Sequence, residues 1–120
     1  IKALQLDNQY FEEIKTSLIT RREIATSVLS SIKGFSSHFS QGAFYMFPSI
    51  KSYIGKRLKD KAVIRDDTSF CLQLLSSEHV AVVPGSSFGS KDSIRISYAL
   101  TEKDLRIGCK RIKHFCERLV

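Results

Sequence analysis

A chain of 120 residues with 42% hydrophobic residues can bury one core and leaves no room for a second domain beside it. No apolar run approaches the length of a bilayer span, and Ile1 to Asp7 lacks the charged-then-apolar layout of a secretory signal, so a soluble, cytoplasmic chain with no membrane partner is expected. The formal net charge of +7 raises a polyanion partner as a question, because clustered Lys and Arg are the footprint of nucleic-acid binders.

From Tyr10 to Ile32 the apolar residues Phe11, Ile14, Leu18, Ala25, Val28, Leu29 and Ile32 fall at helical spacing and predict a long helix with a core-facing stripe. Asp7 or Asn8 can cap its start and Gly34 its end, while Glu12, Glu13, Lys15, Arg21 and Arg22 read as a solvated face. Gly42 to Pro48, GAFYMFP, suits a strand whose end lies near an edge or bulge at Pro48. Lys51 to Asp66 is polar and basic, a long connection with one helical turn near Tyr53 to Leu58. Asp67 opens a short helix with Phe70, Cys71, Leu74 and Leu75 on one side, and His79 to Val83 follows as a β-branched strand stopped by Pro84 and Gly85.

Beyond the loop Gly85 to Asp92, Ser93 to Ala99 alternates Ile94, Ile96 and Tyr98 against Arg95, Ser97 and Ala99, a two-faced strand. Thr101 with Asp104 three residues on resembles a capping box, opening a last helix with Leu105, Cys109, Ile112, Cys116 and Leu119 as its buried stripe. The order of elements predicts an α+β fold over residues 1–120, a small mixed or antiparallel sheet covered on one face by helices. The three cysteines, Cys71, Cys109 and Cys116, are odd in number and scattered. Cys109 and Cys116 stand seven apart, about 10 Å of helix rise, too far for a disulfide. With no tight C-x-x-C pair, no metal site is expected and buried core thiols in a reducing compartment are.

Three segments match a known pattern together and in order: GAFYMFP at Gly42 to Pro48, VAVVPGSSFG at Val80 to Gly89, and IRISYA at Ile94 to Ala99. Followed by LRIGCKRIKHF at Leu105 to Phe115, they make nearly the whole chain similar to the C-terminal small domain of class I, aspartate aminotransferase-type, pyridoxal-phosphate-dependent aminotransferases. The stretch before Gly34 also resembles that family's long helix, with its paired arginines at Arg21 and Arg22.

The resemblance implies that Arg95 binds the α-carboxylate of an amino-acid or 2-oxo-acid substrate, with aspartate the favoured donor. It places the loop Pro84 to Gly89 at the mouth of the substrate cleft, with Phe88 as an apolar wall near the substrate side chain. Pyridoxal 5'-phosphate would be held by a large domain outside these 120 residues. Nothing here resembles the family's cofactor-lysine segment, for which Gly89-Ser90-Lys91 is the nearest string, so this chain alone is expected to be inactive. A homodimer and a closing lid are expected of the full-length enzyme.

The residues support Arg95 on their own account. It lies opposite Ile94, Ile96 and Tyr98, so if those pack under the helices its guanidinium points away from the core, and a planar fork matches a carboxylate bidentately. Without the resemblance the same arginine reads as a surface or salt-bridged side chain, and Pro84 to Gly89 as a tight strand-to-strand turn.

Two further patterns compete. Gly85-Ser86-Ser87-Phe88-Gly89 satisfies G-x-S-x-G, and Asp92 or Asp104 and then His114 follow in hydrolase order. That elbow needs a helix straight after it, and here another strand is expected. The alternative of a basic nucleic-acid-binding module draws on Lys103, Arg106, Lys110, Arg111, Lys113 and Arg118, which lie on the last helix without interleaved aromatics or a binding motif.

Overall fold

The computed structural model describes residues 7–36 and 41–120, so residues 1–6 of the leading stretch lie outside the described residues. Among the described residues the order is α1 (Asn8–Leu29), β1 (Tyr45–Met46), a 3-10 turn at Lys51–Tyr53, α2 (Asp67–Glu78), β2 (Val83–Pro84), a 3-10 turn at Gly85–Phe88, β3 (Ile94–Ser97) and α3 (Glu102–Glu117). The three strands form an antiparallel sheet in the order β1-β3-β2. Tyr45 stands opposite Ser97 and Met46 opposite Ile96, while Val83 stands opposite Arg95 and Pro84 opposite Ile94. This is the α+β class expected, with the sheet antiparallel rather than mixed.

Each helix starts where a polar side chain satisfies backbone donors that have no intrahelical partner. The Asp7 side chain accepts from the backbone N–H of Gln9, and the Thr101 hydroxyl accepts from the backbone N–H of Asp104 at 3.2 Å. At α2 the box is reciprocal: the backbone N–H of Ser69 donates to Asp66 at 2.7 Å and that of Asp66 to the Ser69 hydroxyl at 3.0 Å. Gly34, at φ +92°, turns the chain after α1, and a side chain there would collide with the Ser52 hydroxyl, 2.3 Å from where its Cβ would sit.

One cluster unites the helices and the sheet: Ala25 and Leu29 from α1, Phe70 and Leu74 from α2, Ile94 and Ile96 from β3, Leu105, Cys109, Ile112 and Phe115 from α3. Phe70 and Phe115 meet edge to face at 5.2 Å between ring centres. Burying side chains of this size contributes roughly 1.5–3 kcal/mol each. Phe115, fully buried, was not in the stripe read from the sequence.

Four expectations need correction. The apolar stripe of α1 is buried only at Ile24, Ala25 and Leu29, with Leu18 and Val28 partly buried against the core, whereas Tyr10, Phe11, Ile14 and Ile19 are exposed, the last three beside an open groove shared with Gly42, Phe44 and Tyr98. Leu75 is exposed, since α2 turns it away from α3. The helical turn in the connection falls at Lys51–Tyr53, earlier than expected. The strands are shorter than their apolar runs: His79 is the left-handed C-cap of α2, at φ 56°, and 80–82 carry no ladder. They border a cavity of about 280 Å³ lined by Val80, Val82, Ile96, Leu105 and Cys109.

All three cysteines are free and buried. Burial pushes the Cys71 and Cys116 thiols up to about 12 and Cys109 to about 11, so at neutral pH they are un-ionised and poor nucleophiles. Iodoacetamide should label them slowly in buffer and fully in denaturant, as counted by intact mass. Rapid native labelling of Cys109 would mean that the cavity beside it admits reagent.

The backbone N–H of Ser69 holds the Asp66 carboxyl below its ordinary value. Stability from a lowered carboxyl is present above the unfolded pKa and disappears as pH falls through the folded one. Replacing Asp66 by Asn should therefore flatten the acid limb of a stability-pH curve below about pH 4 and leave its neutral region little changed.

Candidate functional site

The central strand of the sheet sets up the site. Because side chains alternate across a strand, Ile94, Ile96 and Tyr98 go into the core at 0%, 5% and 3% exposure and Arg95 and Ser97 go to the other face. Directly opposite residues in an antiparallel pair share a face, so Tyr45 joins them from β1 and Val83 from β2. Tyr98 secures the approach to β1. Its hydroxyl donates to the Ala43 carbonyl at 2.7 Å and its backbone N–H to the Phe44 carbonyl at 2.9 Å.

On this open face the Arg95 guanidinium lies over two rings, 4.5 Å from the centre of Phe88 and 5.4 Å from that of Tyr45. Phe47 meets Phe88 edge to face at 6.1 Å. Arg95 is half-buried, and among the described residues no carboxylate lies within ion-pair distance of it. The arrangement is a cation set over two aromatic rings with no carboxylate of the described residues beside it.

Phe88 reaches this position from the 3-10 turn Gly85–Phe88, which two features fix. The buried Asp67 spans from the start of α2 to the turn, where Oδ2 accepts from the backbone N–H of Ser86 at 2.6 Å and Oδ1 accepts from Thr68 N–H at 2.9 Å. Gly85 lies so close to the chain that follows that a Cβ there would come within 2.4 Å of the Ser90 and Ser93 carbonyl oxygens. The segment is thus a pinned turn rather than a simple link between strands.

The sequence profile described as "Aminotransferase class I and II" matches residues 1–112. The chain belongs to this aminotransferase family. It is 41% identical over 116 residues to a probable aspartate/prephenate aminotransferase of Rhizobium leguminosarum bv. phaseoli, covering 97% of this chain and 29% of that protein. An aspartate aminotransferase of Rhizobium meliloti (strain 1021) is 38% identical over 119 residues, covering 99% of this chain and 29% of its own length. The crystal structure of the aspartate aminotransferase from Rhizobium meliloti superposes with a TM-score of 0.92 at 38% identity, over 98% of this chain and 30% of that one. That from Thermotoga maritima gives 0.77 at 29% identity, over 97% and 26%. The chain therefore spans less than a third of the aminotransferases it matches.

Both competing patterns meet physical obstacles in this aminotransferase chain. Gly85–Phe88 is followed by β3, not by a helix, and His114 faces Glu78 at 3.1 Å instead of an aspartate beside Ser87. Most cations of α3 are engaged within the protein. Arg118 pairs with Glu78 at 2.7 Å, Arg111 donates to the Glu78 carbonyl at 3.3 Å, Lys113 donates to the Ser31 hydroxyl at 3.0 Å, and Arg106 lies 4.0 Å from Glu102.

Of the residues named in advance, the structure brings Arg95 and Phe88 into contact. Tyr45, Phe47 and Asp67 were missed as parts of the site. The alternation of GAFYMFP could have placed Tyr45 and Phe47 on one face. Asp67 left no such signal, because an acid at the start of a helix reads as helix-dipole or capping chemistry. Asp67→Ala leaves the Ser86 N–H without its acceptor and should lower stability to urea by about 1–3 kcal/mol. An unchanged midpoint would show that the turn holds itself.

Proposed function

We propose that this chain is the C-terminal small domain of a pyridoxal-phosphate-dependent transaminase and that Arg95 receives the α-carboxylate of its amino-acid and 2-oxo-acid substrates. The observation that carries this reading is the half-buried guanidinium on the open face of the sheet, with no carboxylate from the described residues on it. A guanidinium in such a place suits a carboxylate, and its planar fork orients the anion as well as attracting it. The relatives described as aspartate and aspartate/prephenate aminotransferases favour aspartate as donor.

Pyridoxal phosphate supplies the electron sink for transamination when bound. The residues here fit it poorly: Lys91, in the string nearest to a cofactor-lysine motif, is exposed in the turn ahead of β3. The residues that hold the cofactor accordingly belong to the remainder of the full-length enzyme, and this segment alone is inactive. Its share of the work is to seize the carboxylate, fix the direction of the amino group attached to the same carbon, and help to close the site against water. The same reading carries a homodimer and a cytoplasmic setting with it.

Replacing Arg95 by Ala in the full-length transaminase should reduce kcat/KM for amino-acid donors by about 2–5 kcal/mol in transition-state stabilisation, with Lys recovering only part. Steady-state kinetics with aspartate and several other donors are the check. Unaltered kcat/KM across all of them would take Arg95 out of the site.

A further inference from the structure

We infer that Tyr45 and Phe88 form an aromatic clamp that positions the Arg95 guanidinium for its carboxylate, so that Phe88 acts through the arginine and not as a wall for the substrate's side chain. The inference rests on the assignment of Arg95 to carboxylate binding and adds the means by which that side chain is held. The two rings come from elements far apart in the sequence, β1 and the Gly85–Phe88 turn, and converge on one guanidinium at 5.4 and 4.5 Å. Neither ring needs to be there for the core, since Tyr45 is 38% and Phe88 50% exposed. Phe47 braces Phe88 from the side, at 6.1 Å and 86°, and Asp67 pins the turn that carries it.

An arginine on an open sheet face has several rotatable bonds, and something must hold it if it is to meet a substrate in a fixed direction. An acidic neighbour would do so at the expense of its charge, by occupying the donors that the substrate needs. Aromatic rings attract the cation through their faces and offer no carboxylate in competition. Rings drawn to the cation in this way do not occupy its N–H donors, which point outward in the guanidinium plane and suit a bidentate anion. The clamp therefore favours one anion geometry without neutralising the charge that binds it.

The experiment compares Phe88→Leu and Tyr45→Leu with Phe88→Tyr and Tyr45→Phe in the full-length transaminase, each alone and on an Arg95→Lys background. Donors are aspartate, an aromatic amino acid and an aliphatic one. Leucine keeps an apolar body at these half-exposed positions and removes the π face, so the fold should tolerate it. Each leucine variant should lower kcat/KM by about 2- to 30-fold, mainly through KM and by a similar factor for every donor. The aromatic replacements should restore it, and on the Arg95→Lys background the further loss should shrink. A loss confined to donors of one side-chain type would make Phe88 a wall and overturn the clamp. Undiminished kcat/KM in both leucine variants, with Arg95→Lys impaired, would overturn the clamp and leave the carboxylate assignment standing. An Arg95→Lys enzyme as active as the parent would overturn the assignment itself and the clamp with it.

Discussion

Everything in this small fold depends on the register of β3. As the middle strand of the sheet it is paired on both sides, and its four residues alternate between a sealed core and the face that carries Arg95. A slip of one residue would turn a guanidinium into the apolar layer and set Ile94 and Ile96 outside. Desolvating an unpaired cation in that way costs far more than the ladder hydrogen bonds could return. The core and the site thus enforce each other through one strand, which is why so short a sheet can specify so definite a placement.

What the sequence made legible follows the same division. Signals confined to one element read correctly: the alternation of 94–99, the spacing of Leu105, Cys109 and Ile112, and the Thr101 cap. Signals that need knowledge of a neighbour did not. Phe11 and Ile14 have the spacing of a core stripe but border an open groove and stay exposed, and Leu75 lies on the edge of a stripe whose limits are set by where α3 crosses. The run 79–83 looks like a continuous strand, yet the left-handed His79 ends a helix and the ladder begins only at Val83. Arg95 could be assigned to the outer face from pattern alone, whereas the rings that meet it there depend on pairing between β1 and β3 and on a turn pinned by a remote aspartate.

The electrostatics show how a positive formal charge can mislead. The partly buried Glu78 takes Arg118 on its carboxylate and Arg111 on its backbone carbonyl at the junction of α2 and α3, so that cations which look like a polyanion-binding stripe in one dimension become fastenings between helices in three. Arg95 is treated in the opposite way. It stands over two aromatic rings instead of beside a carboxylate of the described residues, and the two environments contrast a cation used as a fastening with one set among carbon.

The first turns of α1 reach beyond Leu18, the first of its residues to pack against the core. From the core contact at Leu18 to the start of the helix at Asn8 is some 10 residues, or about 15 Å of rise. Turning the body through about ten degrees would sweep the helix tip through about 3 Å, carrying Tyr10 and Phe11 with it as one rigid spar. A modest rotation around the sheet is in this way amplified at a distance without any bond in the core having to change partner.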